Sequence, residues 1–445
     1  MSVTSPTLIA RSVDTNGEGN FPKGASFSPD GLCVLTNTAS DNRLRLYNTP
    51  PITLGNESEK GEEHGKANKF FVDWKTALAA DGCDSVRSYA WYPHMNSADP
   101  SSCCFLSSSR DQPIHLVDAY TAKIRASYRP YNALDEMESP TVATFSPDGQ
   151  RIVAAGFRTD RTIHVFETGN PGRHSTILRL GKTRRSSDGQ KGLVSALTFS
   201  SPQTCCFNKL LAVGTYAPGS IYLYDDRVSS SHTPTTTILN GLCIVGHGRS
   251  HSRKKRRFVA ISNDGDQDNE ETENLFSKAK VQWFQNRARG GVTQMRFSPS
   301  EEYILYSSSR RSDAVLGWDV RMVSGNEDYA SCPVRGFTSF ATDNNTNQRI
   351  EFDFDETGKR LFVGGRDNCV RVYNVKGGEL VGKIDSLGDV ANGVSYKYDA
   401  RLNSGMLAVA VGSRQFAGDD ENGEQEELSK LSTMKDQGTL DLYRV

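Results

Sequence analysis

No run of apolar residues in this chain of 445 residues approaches the roughly 20 needed to cross a bilayer as a helix. The opening stretch, MSVTSPTLIARSVDTNGEGN, lacks the basic start and apolar core of a secretory leader. Residence in the cytosol or nucleus is therefore expected, with no membrane partner. An excess of one charge is missing too. Fifty-two Lys and Arg against 53 Asp and Glu leave a formal charge of −1, so any attraction to nucleic acid must come from a local patch. The nine cysteines (Cys33, Cys83, Cys103, Cys104, Cys205, Cys206, Cys243, Cys332 and Cys369) are odd in number and have no CxxC spacing. That argues against a zinc site or a disulfide framework, and for reduced thiols in the core. A GxxxxGK[ST] phosphate loop, an HExxH pair and a GxSxG nucleophile turn are also absent, and the eight histidines form no ligand-spaced set. No enzymatic activity, metal or cofactor is expected.

What the chain has instead is repetition. Seven short segments share one pattern: Leu44 to Asn48 (LRLYN), Ile114 to Asp118 (IHLVD), Ile163 to Glu167 (IHVFE), Ile221 to Asp225 (IYLYD), Leu316 to Asp319 (LGWD), Val370 to Asn374 (VRVYN) and Leu440 to Arg444 (LDLYR). Most alternate apolar and polar residues, as one strand repeated around a ring of sheets would. Before five of them an Asp stands three positions ahead of an apolar residue: Asp41, Asp111, Asp160, Asp313 and Asp367. A carboxylate there accepts backbone N–H bonds inside a tight turn, so these are read as structural. Further upstream FSPDG occurs twice, at 27–31 and 145–149, with shortened or degenerate forms at 91–93, 199–202, 297–299 and 354–358. The aromatic ends a buried strand, and Pro, Asp and Gly make the following turn. His115 and His164 occupy the same position in successive repeats, which suits packing.

The fold expected is all-β, a seven-bladed WD40-type β-propeller forming a single domain over 1–445. Its blades fall near 21–80, 86–136, 139–186, 191–289, 291–342, 346–388 and 391–445. The last repeat ends at Val445 with no room for an outermost strand, so Thr7 to Arg11 (TLIAR) is expected to supply it and close the ring. Insertions at 51–70, 231–280 and 415–437 interrupt the repeat. Residues 231–274 are rich in Ser, Thr, Gly, Asn and charge, and 418–430 is acidic and polar; neither offers enough apolar surface to offset chain ordering, and the three insertions are read as disordered loops.

Arg253, Lys254, Lys255, Arg256 and Arg257 form a basic run inside the second insertion. Three readings stay open for it: contact with a phosphate backbone, a nuclear-import segment, or a solvated loop. VQWFQNRAR at 281–289 looks like the core of a homeodomain recognition helix, but no two helical periodicities precede it and a strand follows Gly290 and Gly291. DNA is excluded as a partner, and the segment is read as the closing strand of the fourth blade. Arg110, Arg125, Arg129, Tyr131 and Asn132 cluster within the second blade. Guanidinium groups bind phosphate and tyrosine stacks on unpaired bases, which suits RNA; pairing of Arg129 and Tyr131 with Asp135 and Glu136 across the blade junction is the alternative. Arg158, Arg161, Arg173, Arg310, Arg311, Arg349 and Arg366 lie near turns of other blades, and a propeller gathers corresponding turns on one rim.

SYAWYP at 88–93, SSSRDQPIHLVDA at 107–119, RASYRPYNALDE at 125–136, PGR at 171–173, GGVTQMRFSP at 290–299 and TNQRIEFDFDETG at 346–358 together resemble the telomerase Cajal body WD-repeat protein family. The resemblance covers residues 86 to 375. It implies a noncatalytic scaffold in the nucleus, in Cajal bodies or nucleoplasm with a cytoplasmic fraction. Its implied partners are small Cajal-body-type RNAs or snRNA, H/ACA ribonucleoprotein proteins and telomerase RNA. The RNA-contacting residues expected on this reading are Arg110, Arg125, Arg129, Tyr131, Asn132, Arg158, Arg173, Arg311 and Arg349. The competing expectation is a protein-only assembly platform in snRNA maturation or pre-mRNA splicing.

Overall fold

The computed structural model describes residues 6–12, 20–50, 72–80, 85–180, 190–200, 210–217, 219–225, 237–238, 242–245, 290–322, 333–338, 348–413 and 438–445. Seven sheets of four or five strands stand around a ring, one per repeat, as the sequence pattern predicts. From the channel outward they run through 26–27, 33–37, 44–48 and 78–80 in blade 1, and 86–91, 104–109, 114–118 and 124–128 in blade 2. Blade 3 uses 142–145, 151–155, 162–167 and 176–179; blade 4 uses 194–199, 210–215, 221–225 and 242–245. Blades 5 and 6 follow with 292–297, 304–309, 314–319 and 335–338, then 352–354, 360–363, 370–374 and 380–384. Blade 7 takes 391–399, 404–411 and 439–444 from the C-terminal end of the chain and Thr7–Ser12 from the N-terminal end.

That closure is held by more than backbone pairing. Thr7 stands opposite Arg444 and Arg11 opposite Asp441. The Arg11 guanidinium donates Nε–H and Nη2–H to the two oxygens of the fully buried Asp441 carboxylate, at 2.8 and 2.7 Å. A bidentate pair fixes strand register as well as adding energy.

The FSPDG turns work as their residues dictate. In the first, Ser28 Oγ donates to Asp30 Oδ1 at 2.6 Å and accepts from the Cys33 N–H at 3.0 Å, with Gly31 at a φ of 76°. Ser146, Asp148 and Gly149 repeat the arrangement in blade 3. The degenerate FDETG turn of blade 6 keeps the geometry by another route: Asp355 Oδ1 accepts from the N–H groups of Lys359 and Arg360 at 2.8 and 3.0 Å.

The aspartate turns divide. Asp41 and Asp367 each bind the Arg four residues on, Arg45 and Arg371, and each precedes an Asn in the left-handed region, Asn42 or Asn368. Against the upward push of burial, hydrogen bonds from Arg45 and Thr38 hold the Asp41 carboxyl down at about 2. Asp111 departs from the expectation. It occupies the left-handed position itself, at a φ of 53°, so its side chain is 80% exposed and Ser139 Oγ caps its N–H instead. Asp160 and Asp313 lie half-buried in the corresponding turns of blades 3 and 5.

Two segments outside the repeat pad the ring. Val72–Trp74, on the link between the third and fourth strands of blade 1, pairs in parallel with Thr7–Ser12 on blade 7, and Thr237–Ile238 pairs in parallel with Leu178 and Arg179 on blade 3. Each covers an outer edge that would otherwise be open to pairing with another chain. The second lies in the 231–280 insertion, which also supplies Leu242–Val245, the outer strand of blade 4. The composition of the insertion predicts loop throughout. Pairing to a preformed sheet edge overrides that composition for these two short runs. Residues 51–70, 253–257, 281–289 and 415–437 lie outside the described residues.

Candidate functional site

The strand order puts two sets of connections on one face of the ring: the links entering each innermost strand and the turns between second and third strands. Hydrogen bonds tie them together, as from the Arg110 N–H to Ser85 O, the Arg310 N–H to Gly291 O and the Tyr216 N–H to Leu193 O. On this face opens a central cavity of about 1190 Å³.

A recurring irregularity shapes its wall. In blades 2, 4, 5 and 7 the innermost strand carries one extra residue at its entry, at Arg87, Ser195, Thr293 and Asn392. Such a bulge re-aims the extra side chain, and all four line the cavity. Ser195 Oγ donates to Val292 O at 2.6 Å and so bridges to the next blade, while Arg87 Nη1 donates to the Ser139 carbonyl and hydroxyl, both at 3.2 Å.

Six cationic side chains line the cavity: Lys23, Arg87, Arg296, Arg310, Arg349 and Arg366, against Glu351 and Asp389. Arg296 is neutralised by Asp353. Asp389 is occupied with the Val390 N–H at 2.7 Å and the Ser413 hydroxyl at 2.6 Å. Among the described residues, Arg349 and Arg366 have no ion-pair partner, and Arg310 Nε is buried without a hydrogen bond. Burial pulls the Arg310 guanidinium's pKa down, and Arg349 pushes the same way. Burial raises the Glu351 carboxyl, also on the cavity wall, to about 7 despite Arg349 and Arg296. The result is a basic mouth on a molecule of formal charge −1.

The residues singled out from sequence do not form one site. Arg110, Arg158, Arg311 and Arg349 share the channel face, but only Arg349 lines the cavity. Arg110 is 60% exposed beside Asp111, and Arg158 and Arg311 are exposed in the turns of blades 3 and 5. Arg125 lies at the opposite end of blade 2, with Nε on Asp118 at 2.9 Å and its two Nη groups on the Ser101 and Pro100 carbonyls at 2.6 and 2.7 Å. It is a structural clamp with every arm engaged.

Arg129, Tyr131, Asn132 and Arg173 gather on the outer wall between blades 2 and 3. Arg173 pairs with Asp135 and lies 4.4 Å above the Tyr131 ring. Asn132 caps its own loop, accepting from the Leu134 and Glu136 N–H groups and donating to Glu138. Asp135, weighed in the sequence as a partner of Arg129 and Tyr131, is taken by Arg173 instead. His115 and His164 donate or accept at Ser127 and Ser175 Oγ, 2.9 and 3.0 Å away, and burial lowers His164 to about 4, as suits packing residues. Among the described residues no group of three or more His, Cys, Asp or Glu is arranged to hold a metal.

Sequence reasoning misses Arg87 and Tyr216 and places Arg310 only among scattered arginines. The signal for Arg87 is a one-residue bulge, which a pattern of alternation does not reveal.

No family model matches the chain. It is 32% identical over 424 residues to Telomerase Cajal body protein 1 of Homo sapiens, an alignment covering 93% of this chain and 61% of that protein. It is 25% identical over 418 residues to the Telomerase Cajal body protein 1 homolog of Drosophila melanogaster, covering 93% and 60%. To Guanine nucleotide-binding protein negative regulator 1 of Schizosaccharomyces pombe it is 26% identical over 414 residues, covering 92% and 84%. The chain is homologous to the Cajal body proteins at moderate identity and spans less than two thirds of their length.

Proposed function

We propose that this protein is a noncatalytic RNA-binding scaffold that holds small Cajal-body-type RNA or snRNA on the channel face of its propeller. On this reading it supports assembly or localisation of H/ACA-type ribonucleoproteins in the nucleus, with telomerase RNA a further cargo and Arg253 to Arg257 serving nuclear import or phosphate contact. The observation that carries the reading is the convergence of Lys23, Arg87, Arg310, Arg349 and Arg366 from different blades on one cavity mouth. Homology to proteins named for telomerase and the Cajal body supports the choice of RNA. Phosphate contacts of this kind hold a nucleic acid in place, while exposed aromatic groups inspect unpaired bases.

The second reading, a platform for proteins alone, is favoured by the fission-yeast relative, whose name describes a regulator of a guanine nucleotide-binding protein and which the chain covers over most of its length. Crosslinking in cells followed by RNA sequencing separates the two. Enrichment of one class of small structured RNA is expected; protein crosslinks without RNA would leave only the platform.

A further inference from the structure

Where blades 4 and 5 meet at the channel mouth, backbone packing brings an aromatic ring and a guanidinium together. Gly219 and Gly290 adopt φ angles of 79° and 112°. A Cβ on Gly219 would stand 2.0 Å from Gly290 O, one on Gly290 2.1 Å from Arg310 O, and one on Gly291 2.2 Å from Tyr216 O. Only glycine permits this approach, and its consequence is that the turns bearing Tyr216 and Arg310 close over the same link. The Arg310 guanidinium then lies 4.5 Å above the Tyr216 ring.

Three features of this corner remain unused by the fold. Arg310 Nε is buried and unbonded, although a guanidinium normally fills such a position only with an acceptor. Arg349, near enough to disfavour the Arg310 charge, has no ion-pair partner among the described residues. Tyr216 and its backbone partner Leu193 are 41% and 42% exposed. Two like charges with an open aromatic surface beside them call for an anion carrying a flat apolar group. A carboxylate side chain would meet the charges and leave the ring bare.

We propose that this corner is a nucleotide subsite, in which Arg310 and Arg349 hold a phosphate of single-stranded RNA while an adjoining base stacks on Tyr216. The assignment rests on the RNA-binding reading and locates the contact. It requires no base identity, because every base offers a face to stack.

The test uses the full chain and fluorescein-labelled octauridylate, with affinity read by anisotropy over a salt series and folding of each variant checked by thermal melting. Tyr216→Leu should weaken binding about tenfold with the salt slope unchanged. Arg310→Gln and Arg349→Gln should each lower that slope by roughly 0.7. Octaglutamate should not compete. If the wild type binds octauridylate and all three variants match it, the subsite is wrong and RNA binding stands elsewhere. If the wild type ignores octauridylate yet binds RNA recovered by crosslinking, the subsite again fails alone. If it binds octaglutamate and no RNA, both this subsite and the RNA reading fall.

Discussion

Two populations of arginine divide this molecule. On the seam and in the blade turns, Arg11, Arg45, Arg125 and Arg371 each place the guanidinium on an aspartate, and Arg125 adds two backbone carbonyls. At the channel mouth Arg310, Arg349 and Arg366 face a cavity, with no ion-pair partner among the described residues. Both kinds occur beside turns, so sequence position does not distinguish them. The difference teaches that charge left unmatched by the fold, more than basic residues as such, marks the surface available to an anionic partner.

The contrast breaks most decisively at the seam. Deleting residues 1–12 removes the strand that closes blade 7 and bares the edge of Thr439–Arg444. Loss of a cooperative melt by circular dichroism, with aggregation on size exclusion, is the expected outcome. A deletion variant that melts as the wild type does would show that the ring needs no such closure.

Next in size comes Asp441→Ala. The carboxylate is fully buried and Arg11 half-buried, so removing one partner should cost on the order of 3 kcal/mol in urea unfolding.

Asp41→Asn should destabilise by less, and its signature is in pH. The folded carboxyl titrates at about 2, below its ordinary 3.8. A depressed value contributes stability that is present above about pH 4 and lost as pH falls toward 2. Melting temperatures of the wild type should therefore fall more steeply across that window than those of the variant, and parallel curves would contradict the role given to this turn.

The mouth should behave in the opposite way. Arg310→Met removes a buried, unbonded nitrogen and a like-charge neighbour of Arg349, so unfolding free energy should stay level or rise by up to about 1 kcal/mol. Smallest of all, Arg110→Ala on the exposed rim should change stability by less than about 0.5 kcal/mol.

The ring itself was legible because each repeat writes its turns in chemistry. FSPDG specifies a Ser–Asp cap and a glycine at positive φ, and the seven alternating segments specify one strand per blade. The closing strand expected at Thr7 to Arg11 pairs with Thr439–Arg444. Legibility stopped where a neighbour decides the outcome. Thr237–Ile238 and Leu242–Val245 have loop-like surroundings in sequence and become strands only against sheet edges. Asp111 matches its counterparts by spacing, yet a turn of different length puts it in the left-handed position and turns its carboxylate outward. For the candidate site, Arg349 was found as an arginine before a strand. The pairing of Tyr216 with Arg310 depends on Gly219, Gly290 and Gly291, which are distant in sequence from one partner or the other.

Photocrosslinking of 4-thiouridine-substituted octauridylate to the full chain, with the attached peptides identified by mass spectrometry, tests the central claim most directly. Adducts on the segments bearing Tyr216, Arg310 and Arg349 are predicted. Adducts confined to Arg253 to Arg257, or to the Arg125 end of blade 2, would contradict it.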